Sequence, residues 1–249
     1  MRHHLKPLRI SWRFFLLVVH ILCSLLLAVL FFRNLIRPDS LAARIALWWH
    51  TRLCKIFAVK KTQQGQISRQ PTLFVANHIS WFDIPALGSS IPVHFLAKNE
   101  INSWPIIGWL ASRAGTLFIR RGSQGAAQQS QLEIYNTLKE GGHVILFPEG
   151  TTTDGTSVKR FHSRLFQAAI DARAQVQPIA LQYPHTDGVH PAALFIGDTQ
   201  FLESTLAIMS EPQMGVHLTF LQAIDAAHFS RDQLANMSRQ QILQVIENQ

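Results

Sequence analysis

An uncharged stretch near the amino terminus restricts the fold of this chain more than any other feature. From Phe14 to Phe32, nineteen consecutive residues lack a charged side chain, and fifteen of them are Leu, Ile, Val or Phe. A helix of this length spans about 28 Å, close to the hydrocarbon thickness of a bilayer, about 30 Å. Arg33 and Asn34 follow the run, not the small residues of a signal-peptide cleavage site. The sequence therefore predicts a retained N-terminal membrane helix.

Basic residues flank this run on both sides: Arg2, Lys6, Arg9 and Arg13 before it, and Arg33, Arg37, Arg44, Arg52, Lys55, Lys60 and Lys61 after it. The charge bias that orients a membrane helix is nearly cancelled, so a helix that crosses the bilayer and one that dips into one leaflet both fit. Residues 41–59 place apolar side chains on one helical stripe, which is typical of an amphipathic helix on a membrane, although a core-facing helix has the same pattern. We expect N-terminal membrane-anchoring helices over residues 1–61 and a further domain over residues 62–249.

The composition indicates an acidic partner. Hydrophobic residues make up 47% of the chain and charged residues 15%, and the formal net charge is +8. Anionic lipids and an acidic carrier protein fit this charge, whereas nucleic acid is not expected because no nucleic-acid-binding motif is present. Cys23 and Cys54 form no disulfide framework, and the twelve histidines show no metal-ligand spacing. We therefore expect no metal and no bound cofactor.

Strand and helix patterns alternate after a polar linker, which we place at residues 62–70. Short apolar runs predict strands at 72–76, 93–97, 116–119, 143–147 and 176–181, with weaker strands at 193–196 and 216–220. Helical patterns occupy 81–88, 103–112, 124–139, 158–174 and about 231–248. The segment 102–110, with two tryptophans, fits either a second contact with the bilayer or a core helix. The alternation predicts an α/β fold with a mostly parallel central sheet and flanking helices.

A histidine and a carboxylate follow the first of these strands. His78 and Asp83 are five residues apart, so on a continuous helix they would point about 140° away from each other, and only a turn could bring them together. A carboxylate bonded to one imidazole nitrogen would leave the other free to take a proton from a hydroxyl, without a serine nucleophile in the protein. Alternatively, Ser80 and Asp83 form only a capping box that starts a helix near Trp81, and His78 is a turn residue.

Three further blocks follow His78 and Asp83. The chain reads Asn77-His78 with Asp83, then 115–121 (GTLFIRR), 147–151 (FPEGT) and 176–180 (VQPIA). In this order they resemble the N-H-x4-D, G-x-x-F-I-x-R, F-P-E-G-T and V-x-P-[IV]-A blocks of the glycerolipid acyltransferase family, in particular its lysophosphatidic acid acyltransferases. The resemblance covers about residues 72–181. Four blocks in order are far more specific than any one of them.

The resemblance implies an O-acyltransferase with His78 as general base and Asp83 as its orienter. It also implies that Arg121, Glu149, Gly150 and Thr151 bind the acceptor. The acyl donor would be a thioester on acyl carrier protein or coenzyme A. Glu149 would hold Arg121 or the acceptor hydroxyl, and amides of the Gly150–Thr151 turn could steady the thioester oxyanion. The expected location is the inner (cytoplasmic) membrane, with the active site on its cytoplasmic face.

The acceptor is less well defined by the sequence. The resemblance favours 1-acylglycerol-3-phosphate, an intermediate of phospholipid biosynthesis. However, Thr152 stands where many relatives have an arginine, and F-P-E-G-T-T-x-D-G looks more like the branch that acylates lyso-ornithine lipid, which is the alternative acceptor. Lys159, Arg160 or Arg164 could replace the lost charge. A hydrolase would need a G-x-S-x-G nucleophile elbow, which the sequence lacks. A non-catalytic lipid-binding protein remains the alternative of another class.

We predict that the full-length protein stays in the membrane pellet after washes with high salt or alkaline carbonate. Ions screen attraction between charges, but they do not weaken the burial of an apolar helix. Immunoblots of pellet and supernatant measure the outcome. Release of most of the protein by salt alone would show that only its basic surface holds it.

Overall fold

A computed structural model describes residues 6–31, 39–119 and 125–248 of the chain. The strands of its main sheet are β1 (Val59–Gln64), β2 (Thr72–Ala76), β3 (His94–Lys98), β4 (Leu117–Ile119), β5 (Val144–Leu146), β6 (Gln175–Gln182), β9 (Met214–Phe220) and β10 (Ile224–Asp225), with β7 (Pro184–His185) and β8 (Gly188–Val189) forming a separate hairpin. The main sheet has the strand order β1-β9-β6-β2-β5-β3-β4, and β10 pairs with β6. Strands β6, β2, β5, β3 and β4 are mutually parallel, and β9 joins β6 in antiparallel orientation.

Helices cover both faces of this sheet. They are α1 (Lys6–Phe31), α2 (Leu41–Ile56), α3 (Asp83–Gly88), α4 (Asn99–Asn102), α5 (Ile107–Arg113), α6 (Ala126–Lys139), α7 (Gln167–Ala172), α8 (Phe201–Ser210) and α9 (Arg231–Glu247). Alternate residues of the buried strand β2 point to opposite faces. Phe74 and Ala76 pack with α2, α3 and α8, whereas Leu73 and Val75 pack with α6, α7 and α9. The predicted α/β fold with a mostly parallel sheet is confirmed.

Most predicted strands lie within two residues of the observed ones, but several predicted elements are wrong. The predicted helix 158–174 is irregular until α7, apart from a short 3-10 turn at Arg164–Phe166, because loop contacts use its amides: those of Lys159 and His162 donate to Glu149 and Pro148. The segment 193–196 is not a strand, since the Phe195 amide donates to the carbonyl of Ile79. The predicted helix 103–112 is wrong over its first four residues, because α4 ends at Asn102 and α5 begins only at Ile107.

Helix α2 packs against the central sheet, so the core-facing alternative holds and not the membrane-surface one. Leu53 and Cys54 are buried in the same core as Phe74, and Trp49 and Ile56 lie against it. The apolar stripe therefore faces protein. The polar segment after α2 was predicted to be a linker from residue 62, but β1 extends to Gln64 and pairs in parallel with β9. The predicted boundary at residue 61 falls inside this strand.

Helix α1 is long and apolar enough to cross a membrane over Lys6–Leu30. Hydrogen bonds join its amino-terminal half to the end of α8. The guanidinium of Arg13, which is 8% exposed, donates to the carbonyls of Met209 at 2.8 Å, Glu211 at 2.6 Å and Pro212 at 3.0 Å. Arg9 donates to Ser210 O at 2.8 Å. These contacts satisfy carbonyls at the end of α8 that have no partner within a helix.

We predict that Arg13→Ala lowers the melting temperature in detergent solution by roughly 4 to 8 °C, because it leaves buried carbonyls without a donor. Arg44→Ala is the matched control, since Arg44 is exposed on α2 and its side chain makes no hydrogen bond within the described part of the chain. Differential scanning fluorimetry measures both. Equal melting temperatures for the two variants would contradict a stabilising role of the α1–α8 contact.

Candidate active site

The predicted site residues that the structure describes lie at one edge of the sheet. His78 follows β2 by two residues and Glu149 follows β5 by three. Strands β5, β2 and β6 are adjacent and parallel, so the loops after their carboxyl ends meet. Ligands of α/β proteins commonly bind at this edge, because the loops there are free to carry functional side chains.

His78 and Asp83 form the predicted contact, with 2.7 Å between Nδ1 and Oδ2. The same Oδ2 accepts from the backbone amides of Ile79 at 2.8 Å and Ser80 at 3.0 Å. These bonds turn the loop back on itself, so residues five apart in sequence can meet. The helix predicted near Trp81 begins two residues later, at Asp83, because the carboxylate is used inside the turn. Asp83 is completely buried.

The imidazole of His78 is oriented on a second side by Phe147. The two rings stack with centroids 4.0 Å apart and planes 14° apart, and the His78 side chain keeps 19% of its surface exposed. Since Nδ1 is bonded to Asp83, Nε2 is the nitrogen available to a substrate. Within residues 6–31, 39–119 and 125–248, Nε2 has no hydrogen-bond partner, and no serine or cysteine side chain bonds it. The arrangement can accept a proton from a bound hydroxyl.

Glu149 braces two loops. Its Oε1 accepts from the His78 amide at 2.9 Å, and its Oε2 accepts from the Lys159 amide at 2.8 Å. The side chain is only 4% exposed, and burial raises the pKa of Glu149 while the two amides oppose this shift. Within the described residues Glu149 positions the backbone of His78, and its role in holding Arg121 or the acceptor stays a prediction. Arg121 itself lies outside the described residues.

The loop after Glu149 also forms a backbone hydrogen bond with His78. The Thr153 amide donates to the carbonyl of His78 at 2.8 Å. Gly150, at a positive φ of 71°, donates its amide to Phe147 O, so this amide closes a turn. The amide of exposed Thr151 has no acceptor among the described residues, which leaves it available to an oxyanion. Gly155 has a positive φ of 76°, which side chains rarely allow, and a Cβ atom there would lie 2.7 Å from Ile79 Cδ1.

Thr152 has a structural contact. Its hydroxyl donates to the backbone carbonyl of Phe195, and the residue is half-buried. An arginine at this position would lose that bond and require space. The suggested replacements for the missing cation, Lys159, Arg160 and Arg164, are all exposed.

Two residues in this region were not singled out by sequence reasoning. The Tyr183 hydroxyl donates to Asp83 Oδ1 at 2.8 Å from the end of β6. Asn77 exchanges two bonds with the backbone of Leu181, at 2.9 and 2.8 Å, and so fixes the end of β2 against β6. A polar side chain at the carboxyl end of a buried strand was the available signal for both.

The fold and the site together define a class of protein: an α/β protein with an oriented, partly exposed histidine at the carboxyl edge of a parallel sheet. A family model described as Acyltransferase matches residues 58–182. This chain belongs to that acyltransferase family.

Two relatives agree with this assignment, and one solved structure shares the fold. A lyso-ornithine lipid O-acyltransferase of Pseudomonas aeruginosa is 42% identical over 81% of this chain and 78% of its own. A 1-acyl-sn-glycerol-3-phosphate acyltransferase of Neisseria meningitidis serogroup B is 37% identical over 66% of this chain and 64% of its own. The crystal structure of PlsC, the 1-acyl-sn-glycerophosphate (LPA) acyltransferase of Thermotoga maritima, matches the fold with a TM-score of 0.73 and 19% identity, over 100% of this chain and 97% of its own.

We predict that Glu149→Gln lowers kcat by roughly tenfold with little change in KM, and lowers the free energy of unfolding by about 1 to 3 kcal/mol. The glutamine side chain has one acceptor oxygen and can accept from only one of the two backbone amides, so the other loop loses its hydrogen bond. Acyl-transfer kinetics and denaturant unfolding measure the effects. Glu140→Gln, at an exposed carboxylate, is the control and should resemble wild type. A large rise in KM without loss of stability would instead support direct binding of the acceptor by Glu149.

Proposed function

We propose that this protein transfers a fatty acyl group from an acyl thioester to the free hydroxyl of a lyso-lipid, with His78 as the general base. The observation that supports this most strongly is the pairing of His78 with Asp83 at 2.7 Å, which leaves Nε2 available. Because no hydroxyl or thiol of the described chain bonds Nε2, the nucleophile is assigned to the acceptor. Membership of the acyltransferase family supports the same chemistry.

The proposed reaction is a direct transfer. Nε2 of His78 takes the proton of the acceptor hydroxyl while its oxygen attacks the thioester carbonyl carbon. The negative charge that develops on the carbonyl oxygen is stabilised by the amide of Thr151. The carbon–sulfur bond then breaks, and the thiolate takes the proton from the imidazolium. Asp83 stabilises the imidazolium and fixes its ring, so the products are an ester and a free thiol.

For the acceptor we propose lyso-ornithine lipid. The relative from Pseudomonas aeruginosa, 42% identical, carries that activity in its name, and so do other relatives, such as one of Rhizobium meliloti at 32% identity. Thr152 supports this choice. It stands where many relatives have an arginine that could bind a phosphomonoester, and its hydroxyl instead donates to Phe195 O. The second candidate is 1-acylglycerol-3-phosphate, which the 37% identical Neisseria relative supports.

We propose a membrane location with the site on the cytoplasmic face, where acyl carrier protein or coenzyme A supplies the thioester. Support comes from large apolar side chains that are exposed on α1, α5 and α8 and next to α5: Leu8, Trp12, Phe14, Phe15, Val18, Val19, Leu22, Leu26, Val29, Leu30, Trp104, Ile106, Ile107, Trp109, Leu202 and Leu206. Exposed patches of this extent mark contacts with lipid or protein. No metal or bound cofactor is part of the proposed reaction.

The test is to incubate purified enzyme in mixed micelles with a labelled acyl thioester and a panel of lyso-lipids. We predict that lyso-ornithine lipid is acylated in preference to lysophosphatidic acid. His78→Ala should lower turnover by roughly 10² to 10⁴, the usual contribution of a general base. His228→Ala should resemble wild type, because His228 is exposed and follows β10, which pairs with the start of β6 and not with its carboxyl end.

Each other outcome of this assay contradicts a different part of the proposal. Acylation of lysophosphatidic acid alone would replace the acceptor and leave the chemistry intact. More than a tenth of wild-type activity in His78→Ala would reject the base. Tight binding of lyso-lipids without any transfer would favour the non-catalytic lipid-binding protein.

A further inference from the structure

Among the residues that the structure describes, Tyr183 is the one outside the loop at 78–83 that donates a hydrogen bond to the Asp83 carboxylate, and it directly follows β6. Its hydroxyl donates to Oδ1 at 2.8 Å, whereas Oδ2 accepts from His78, Ile79 and Ser80. The carboxylate thus receives donors on both oxygens. Without the bond to Oδ1, only the loop that carries His78 would determine the rotation of the Asp83 carboxylate.

The Tyr183 hydroxyl lies in a buried site, beside the Asp83 carboxylate and the Ser80 side chain. The side chain is 1% exposed at the end of β6, among the largest fully buried groups. Burial and the Asp83 carboxylate raise the pKa of Tyr183 well above the usual range of a phenol, so the hydroxyl keeps its proton and donates. The other titratable group near it is Cys54 on α2, whose pKa burial raises to about 11, so this thiol is neutral. Glu149 is the further acid that acts on His78 itself.

We infer that Tyr183 is a positioning residue of the catalytic pair, which acts through Asp83 to hold the imidazole of His78 in register with the acceptor hydroxyl. This inference rests on the proposed function. Tyr183 does not touch the reacting atoms, since the whole Asp83 carboxylate separates it from His78. It adds to the pair a group from β6, so the catalytic geometry depends on the pairing of β6 with β2 and not only on the loop after β2.

Tyr183→Phe tests the inference, because it removes one oxygen atom and keeps the ring. The matched control is Tyr135→Phe: the chain has two tyrosines, and Tyr135 on α6 makes no hydrogen bond within the described residues. We predict that Tyr183→Phe lowers kcat roughly three- to thirtyfold with KM nearly unchanged. Loss of the donor leaves the negative charge of Asp83 less well satisfied, which favours proton uptake by the pair. The acid limb of the pH–rate profile should therefore move to higher pH by about 0.5 to 1 unit.

A double-mutant cycle separates this role from a general effect on stability. If Tyr183 acts through Asp83, Tyr183→Phe should cause little further loss in an Asp83→Asn background, whereas independent effects would multiply. Equal kcat and pH profiles for Tyr183→Phe and Tyr135→Phe would overturn the inference, and so would multiplicative losses in the cycle. Absence of transfer by the wild-type enzyme with every lyso-lipid would instead reject the proposed function, which keeps the two failures distinct.

If Tyr183→Phe does not fold, a difluorotyrosine preserves the contact. Biosynthetic incorporation of 3,5-difluorotyrosine into the Tyr135→Phe protein labels only Tyr183. The fluorinated phenol is a stronger donor, so the acid limb should move to lower pH, opposite to the expected effect of phenylalanine. An unchanged acid limb in this fluorinated protein would overturn the inference.

Discussion

The buried carboxylate of Asp83 is the interaction on which the rest of the site depends. An ionised group at zero exposure is costly unless donors surround it, and this one has four: the imidazole, two loop amides and a tyrosine hydroxyl. The loop after β2 can satisfy the charge only by folding back through Ile79 and Ser80. The same fold places His78 at the edge of the sheet with one nitrogen available. The hydrogen bonds to Asp83 that stabilise the loop therefore also orient the imidazole of His78.

Glu149 extends the same principle to the neighbouring loop. Its two oxygens join the His78 amide to the Lys159 amide, so the loops after β2 and β5 cannot move apart without leaving a buried carboxylate unpaired. Thr153 adds a bond from the same loop to the His78 carbonyl. Two acids at the carboxyl ends of adjacent parallel strands therefore have structural tasks, and the histidine between them is the group left to act on a substrate. In the proposed mechanism, such preorganisation would let a single imidazole serve as base without a protein nucleophile.

The sequence predicted the sheet and the contact between His78 and Asp83 well, because both depend on local patterns. The strand 72–76 is a short apolar run, and His78 and Asp83 belong to a motif with fixed spacing. Contacts between distant segments were not predictable in this way: the amide of Lys159 is drawn to Glu149, so the expected helix 158–174 is broken. The apolar stripe of α2 has the same sequence pattern whether it faces lipid or protein. Only the packing of Leu53 in the core shows that it faces protein. Tyr183 has no motif of its own, since its role exists only when β6 lies beside β2.

The central claim is that the acceptor's own hydroxyl is the nucleophile, with no acylated protein intermediate. Intact-protein mass spectrometry, after incubation of the enzyme with excess acyl thioester and no lyso-lipid, tests this most directly. Direct transfer predicts an unmodified protein mass, followed by immediate product formation when lyso-lipid is added. A stoichiometric acyl adduct on a serine, threonine, cysteine or lysine, which forms at a rate equal to or above turnover and disappears when lyso-lipid is added, would contradict it.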